Sequence, residues 1–171
     1  MTPEEIITRL MSRHFSSRII QNDFRGIVLE EIVAAALEPD WTLCSEAWSG
    51  WDFVNQAGLR LQVKNSAARQ SWEGAPSSGS FKIGAAKGYY RGGTDWVAKP
   101  GRHAEVYILS WHPRTDEATD HRNPDQWIFY VINVRDLPEQ TTIALSRLER
   151  QWPAVGYSEL RKAVDAAVER W

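Results

Sequence analysis

The chain reads as an α/β protein: a mixed central β-sheet of about five strands with helices on its faces. Three observations predict it. Helical periodicity marks both ends of the chain. Two strong apolar strand-like segments, residues 105–111 and 127–134, follow one another across a polar loop. A second pair, residues 51–54 and 59–66, flanks Asn55-Gln56-Ala57-Gly58, a turn whose glycine can take φ > 0, and so reads as a β-hairpin.

The elements follow in order. Pro3 near a helix start and the apolar set Ile6, Ile7, Leu10 and Met11 predict a first helix to about Ser16. Asn22 or Asp23 can cap a second helix, residues 24–37, which ends near Pro39. Residues 41–46 read as the first strand, and the hairpin supplies the next two. Residues 67–101 read as irregular, because residues 67–102 hold seven of the eleven glycines. Within that stretch residues 74–80 are the most loop-like, and Phe81-Lys82-Ile83 can form a short strand. The polar loop at 112–125 carries Pro113 and Pro124. Residues 141–145 can form a last short strand. From Tyr157 or Ser158 to Val168 an amphipathic helix sets Leu160, Val164, Ala167 and Val168 on one side. No repeat or linker divides the chain, so residues 1–171 read as one domain of ordinary size.

Composition narrows the class. Hydrophobic content of 43% and charged content of 25% suit a globular protein and argue against disorder. Of nine tryptophans, Trp51, Trp111 and Trp127 lie in or beside strands and read as core; Trp72 and Trp96 lie in the glycine-rich segment and read as exposed. The single cysteine, Cys44, excludes an internal disulfide and argues against a thiolate metal site. There is no apolar run near 18 residues and no basic-then-apolar leader, so no membrane span and a cytoplasmic location are the expectations. His14, His103, His112 and His121 lack the His-x3-His spacing of a zinc site and read as non-ligands. No phosphate loop of the Walker type and no nucleophile elbow is present.

A net charge of −2 hides an asymmetry. Between residues 59 and 103, Arg60, Lys64, Arg69, Lys82, Lys87, Arg91, Lys99 and Arg102 face only Glu73 and Asp95, a surplus of six (8 − 2). A basic zone is what a polyanion-binding cleft needs. A solvated basic loop is the plain alternative.

The hairpin carries the chemistry. Side chains alternate along a strand, so Leu59, Leu61 and Val63 point one way and Arg60, Gln62 and Lys64 the other. Asp52, between Trp51 and Phe53 on the neighbouring strand, can join Gln62 and Lys64. Strand propensity disfavours aspartate unless something selects it. Phosphodiester hydrolysis needs oxygen ligands for a divalent metal and a cation near the attacking water or the phosphate. Asp-x9-Gln-x-Lys supplies material for both. Upstream, Glu30 shares a helical line with Gly26, Ile27, Val33, Ala34 and Leu37, where a carboxylate is costly to bury unless paired or bound to a cation. Glu31 aligns with Ile27, Val28, Ala34 and Ala35, so periodicity does not separate the two. Solvated surface charges and an ordinary hydrogen-bonding strand are the plain readings of the same residues.

Asp52, Gln62-Val63-Lys64 and a helical glutamate upstream resemble the PD-(D/E)XK, or restriction-endonuclease-like, nuclease superfamily. The upstream element is Arg25-Gly26-Ile27-Val28-Leu29-Glu30, whose spacing from Gly26 favours Glu30. The extension Lys64-Asn65-Ser66-Ala67-Ala68-Arg69-Gln70-Ser71-Trp72 is similar to that of small bacterial members. The motif core spans residues 25–72. Two features depart from the family. Gln62 stands where an acid is usual, which removes one negative charge, and no regular helix is evident after the third core strand. The resemblance implies a restriction-endonuclease-like core and Mg²⁺- or Mn²⁺-dependent hydrolysis of DNA. It implies catalytic roles for Asp52, Gln62, Lys64 and Glu30. It implies metal ligation by Asp52, Gln62, Glu30 and the Val63 carbonyl. Ser66, Arg69, Gln70 and Trp72 beside the motif, with Lys82, Lys87 and Arg91 in the basic zone, are the expected nucleic-acid contacts. Gln62 keeps a second reading open: a catalytically weak module of this fold that binds nucleic acid or a partner protein. A homodimer is also left open.

Overall fold

Apolar residues alternate along the longest strands, and that alternation builds a core on each face of one sheet. The computed structural model describes residues 1–44 and 49–171. Strand β7 (Val106–His112) sends Val106 and Ile108 to one core and Tyr107, Leu109 and Trp111 to the other. Strand β8 (Ile128–Asn133) divides likewise, Phe129 to the first, Tyr130 and Ile132 to the second. Strand β3 (Arg60–Ala67) adds Leu61 and Val63 to the first. With β1 (Trp41–Leu43) and β2 (Phe53–Asn55) these form a five-stranded sheet of order β1-β2-β3-β7-β8. Only β3 and β7 pair in parallel. The α/β class with a mixed five-stranded centre is therefore as expected.

Helices α2 (Asn22–Leu37) and α4 (Leu160–Glu169) cover the first face, through Leu29, Ile32, Val33 and Leu37 and through Leu160, Val164 and Ala167. Each such leucine, isoleucine or valine side chain, fully buried, contributes roughly 1.5–3 kcal/mol. The second face is covered differently. Strand β4 (Ser80–Lys82) pairs with β9 (Thr142–Ala144), burying Phe81 and Ile143, and α3 (Leu145–Gln151) adds Leu145 and Leu148. Helix α1 (Pro3–His14) opens with a capping box between Thr2 and Glu5 but buries none of its residues. Trp111 and Trp127 are core, while Trp51 packs half-buried at its margin.

Several boundaries move. The first helix stops at His14 rather than Ser16. Of the strand expected at 41–46, residues 41–43 are found, and Ser45 and Glu46 lie outside the described residues. Leu145 begins α3 instead of ending a strand, and no helix was expected there. The glycine-rich segment is less irregular than its composition suggests. It holds β4 and a second hairpin, β5 (Tyr89–Arg91) with β6 (Asp95–Val97), whose tip has Gly92 and Gly93 at φ 62° and 72°. A parallel pair needs a long crossover, usually helical. Here residues 68–105 make it from short strands, without a helix. Arg60, at the start of β3, clasps Glu105 at the crossover's end, with Nη2–Oε1 at 2.5 Å and the Arg60 N–H donating to Oε2 at 2.6 Å. Among the described residues no helix is long and apolar enough to cross a membrane.

Candidate active site

The hairpin turn forms as its residues dictate. Gly58 takes φ 79°, and the Asn55 side chain accepts the Leu59 N–H at 2.9 Å. The register Phe53↔Leu61 then brings Asp52 to Gln62. The last backbone rung between the strands is the Asp52 N–H on the Leu61 carbonyl, 2.9 Å. Beyond it β2 and β3 part. The Val63 N–H donates to Asp52 Oδ2 at 2.6 Å, so a carboxylate takes the place of the next carbonyl. The N–H and C=O of one strand residue point the same way, so the Val63 carbonyl faces this open edge too. Gln62 Nε2 donates to Asp52 Oδ2 at 2.5 Å and lies 3.4 Å from the Val63 oxygen.

Electrostatics tie Glu30 and Lys64 to this edge. Burial, then the Asp52 charge, push the Glu30 carboxyl up to about 7 against the pull of Lys64. Burial also raises Asp52, while Lys64, the Val63 N–H and Gln62 oppose the rise. Glu31, the periodicity's other candidate, is exposed. Hydrogen bonds thus bring Asp52, Gln62 and the Val63 backbone together, and the charges of Glu30 and Lys64 act on the same edge. Burial disfavours the negative charge of both carboxylates.

Among the described residues no group of three or more His, Cys, Asp or Glu side chains can hold a metal. The donors present still fit a hard divalent ion such as Mg²⁺. That ion is commonly bound through one or two carboxylates, water and substrate phosphate. Asp52 and Glu30 supply the carboxylates and Val63 a carbonyl. Gln62 presents its amide nitrogen, a donor, to the same two oxygens.

Beside this edge lies a cleft of about 410 Å³ whose lining includes Gln62, Lys64, Lys82, Tyr90, Trp96 and Arg102. One wall is the β5–β6 hairpin. Tyr89 fastens it by packing on His103 and Trp51, with ring centroids 4.8 and 5.2 Å apart. Arg102 braces the other side by donating to the carbonyls of Ile83 (2.6 Å), Pro138 (2.5 Å) and Leu137 (3.2 Å).

The expected nucleic-acid contacts divide. Lys82 lines the cleft, and Lys87 and Arg91 are exposed on the hairpin side. Arg69, Gln70 and Trp72 line a separate depression of about 490 Å³ with Ile19 and Thr115. Gln70 is also engaged internally: its oxygen accepts from Asn22 Nδ2 at 2.7 Å and its nitrogen donates to the Ala67 carbonyl at 2.6 Å. Arg69 Nη1 donates to the Asp116 carbonyl at 2.8 Å. Ser66 is buried within β3. The basic surplus shrinks, because Arg60 is paired with Glu105.

Sequence reasoning assigned no role to Tyr90, Trp96 or His103, and no pattern in the chain marks them. Nor did it single out Arg25, which is buried, donating to Asn65 Oδ1 (2.9 Å) and Asn22 Oδ1 (2.7 Å) and so holding α2 to β3. The spacing of Arg25 to Asn22, one helical turn, is its only signal. His112 and His121 are buried edge to face at 4.9 Å, packed near Trp127. Burial, then the charges of His112 and Arg25, hold His121 down at about 4, and its Nδ1 accepts the Ile20 N–H at 3.2 Å. No family model matches the chain, and a search of curated proteins returns no match.

Proposed function

We propose that the protein is a divalent-metal-dependent nuclease of the PD-(D/E)XK type that hydrolyses DNA phosphodiester bonds. The observation that carries this reading is the Asp52 carboxylate, held by the Val63 N–H where β2 and β3 part, with Gln62 donating to it and the charges of Lys64 and Glu30 acting on it. Asp52, Glu30 and the Val63 carbonyl would hold Mg²⁺ or Mn²⁺, joined by the Gln62 oxygen when the amide is turned over. Bound there, the metal supplies Lewis-acid polarisation of the phosphate and a more acidic water. The Val63 N–H fixes the Asp52 carboxylate before substrate arrives, which spares reorganisation during the reaction. Lys64 places its ammonium at the edge, where it orients the nucleophile or stabilises charge on the phosphate. The cations of the cleft draw the polyanion in.

Purified protein is expected to cut DNA only with a divalent metal. Asp52→Ala and Lys64→Ala are each expected to lower the rate by ~10²–10³ or more with the fold intact. Equal activity of wild type and both variants in Mn²⁺ would sink the assignment. One observation favours a second reading, a module of this fold that binds without cutting. Gln62 presents a donor to Asp52, where a third carboxylate would have strengthened a metal site. Nucleic-acid binding with no metal-dependent cleavage would select it.

A further inference from the structure

Trp96 is 52% exposed yet held in place. It lies opposite Tyr90 across the β5–β6 hairpin, with ring centroids 5.2 Å apart and planes tilted by 58°. Its indole rests on the backbone of Gly88: a Cβ there would lie 2.7 Å from Trp96 Cζ2 and 2.2 Å from the Val97 oxygen. Glycine at 88 is what lets the ring lie down. An exposed aromatic kept in one orientation is a platform rather than a loose side chain. The platform lines the same cleft as Gln62 and Lys64, whose lining also includes the small residues Gly84, Ala86 and Gly101. Lys64, Lys82 and Arg102 give the cleft positive charge.

A ring of this kind, flanked by cations, matches a nucleotide with a free base face. In a duplex both faces of every base are covered by stacking. Single strands offer them, and base–aromatic stacking then tolerates any sequence. The cleft volume of about 410 Å³ falls in the range of single-ligand sites, about 300–1,000 Å³. We infer that this cleft binds single-stranded DNA, stacking one base on Trp96 and setting the neighbouring phosphates on Lys82 and Lys64. The inference rests on the nuclease reading for its choice of ligand and names the form of substrate that reading leaves open.

The test is fluorescence anisotropy with a labelled short oligothymidylate and a labelled duplex of equal length. A chelator is present, so that cleavage plays no part. Wild type is expected to bind the oligothymidylate more tightly than the duplex. Trp96→Ala is expected to weaken oligothymidylate binding roughly 5- to 100-fold, with Trp96→Phe recovering most of the loss. Trp171→Ala, at an exposed tryptophan outside the cleft, is the control and should bind as wild type. Near-ultraviolet circular dichroism of each variant verifies the fold. The inference is overturned if Trp96→Ala binds the oligothymidylate as wild type does, if Trp96→Ala weakens duplex binding equally, or if Trp96→Phe is as weak as alanine. The two readings fail separately. Loss of binding in Trp96→Ala with full cleavage by both Asp52→Ala and Lys64→Ala would remove the nuclease assignment alone. An inert Lys64→Ala with unchanged binding in Trp96→Ala would remove the stacking site alone.

Discussion

Replacing Glu30 by glutamine should stabilise the metal-free protein, and only at neutral and alkaline pH. The carboxyl titrates near 7 in the fold against an ordinary 4.5, because it is half-buried and faces the Asp52 charge. The folded state therefore holds the proton that the unfolded state releases. The penalty is absent below about pH 4.5, grows between 4.5 and 7, and is complete above 7. At 1.36 kcal/mol per pH unit the gap corresponds to roughly 3 kcal/mol, which partial solvent access reduces to about 1–2 kcal/mol. Glutamine keeps the shape and carries no charge, so it escapes the penalty. Urea unfolding with chelator should show Glu30→Gln more stable than wild type by that amount at pH 8.5 and nearly equal to it at pH 4.5. Adding Mn²⁺ should reverse the order, because wild type gains about 2.7 kcal/mol at one hundred times its Kd and the variant gains less. A variant no more stable than wild type at pH 8.5 would refute the reasoning, since Glu30 would then not share the buried edge with Asp52.

Three further outcomes are expected. Gln62→Glu should bind Mn²⁺ about tenfold or more tightly by calorimetry, since hard cations favour charged oxygens. It should also destabilise the metal-free protein, because a carboxylate replaces the amide that now donates to Asp52. His121 is held near 4, below its ordinary 6.5, so the unfolded chain takes up the proton first and stability falls as pH drops through 6.5 to 4. His121→Gln should flatten that fall, worth up to about 3 kcal/mol, in urea titrations across the same window. Replacing both Lys82 and Lys87 by alanine should lower the slope of log K against log salt for oligothymidylate by about 1.4, and an unchanged slope would show that neither meets phosphate.

Much of the site can be read in the chain because it is local. A turn of fixed length, Asn55 to Gly58, sets the register, and strand alternation then decides which side chains meet Asp52. Glu30 needs more, since helical periodicity serves Glu31 equally. Packing against the sheet turns Glu30 inward. The hairpin of Tyr89 to Val97 is hidden because its strands have three residues each and its glycines read as loop. What makes it a wall is remote: Tyr89 on His103 and Trp51. Helix α3 has seven residues and no side-chain cap, so nothing local distinguishes it from a strand end. His112 and His121 sit at the rim and inside of a polar loop, yet tertiary packing near Trp127 buries both.

The long crossover between β3 and β7 has a consequence for when the site can exist. Seven register pairs on one side of β3 come from residues 106–112, and β7 is in turn flanked by β8, which ends at Asn133. A nascent chain emerges at ≈ 5–20 residues per second and orders what it already possesses. When Asp52, Gln62 and Lys64 leave the ribosome, the strand that flanks β3 in parallel has not been made. The Arg60–Glu105 clasp and the parallel rungs arrive later, so a chain interrupted between residues 64 and 105 carries the motif without the complete pocket. Synthesis itself thus keeps the candidate site unassembled until residues 106–112 have emerged.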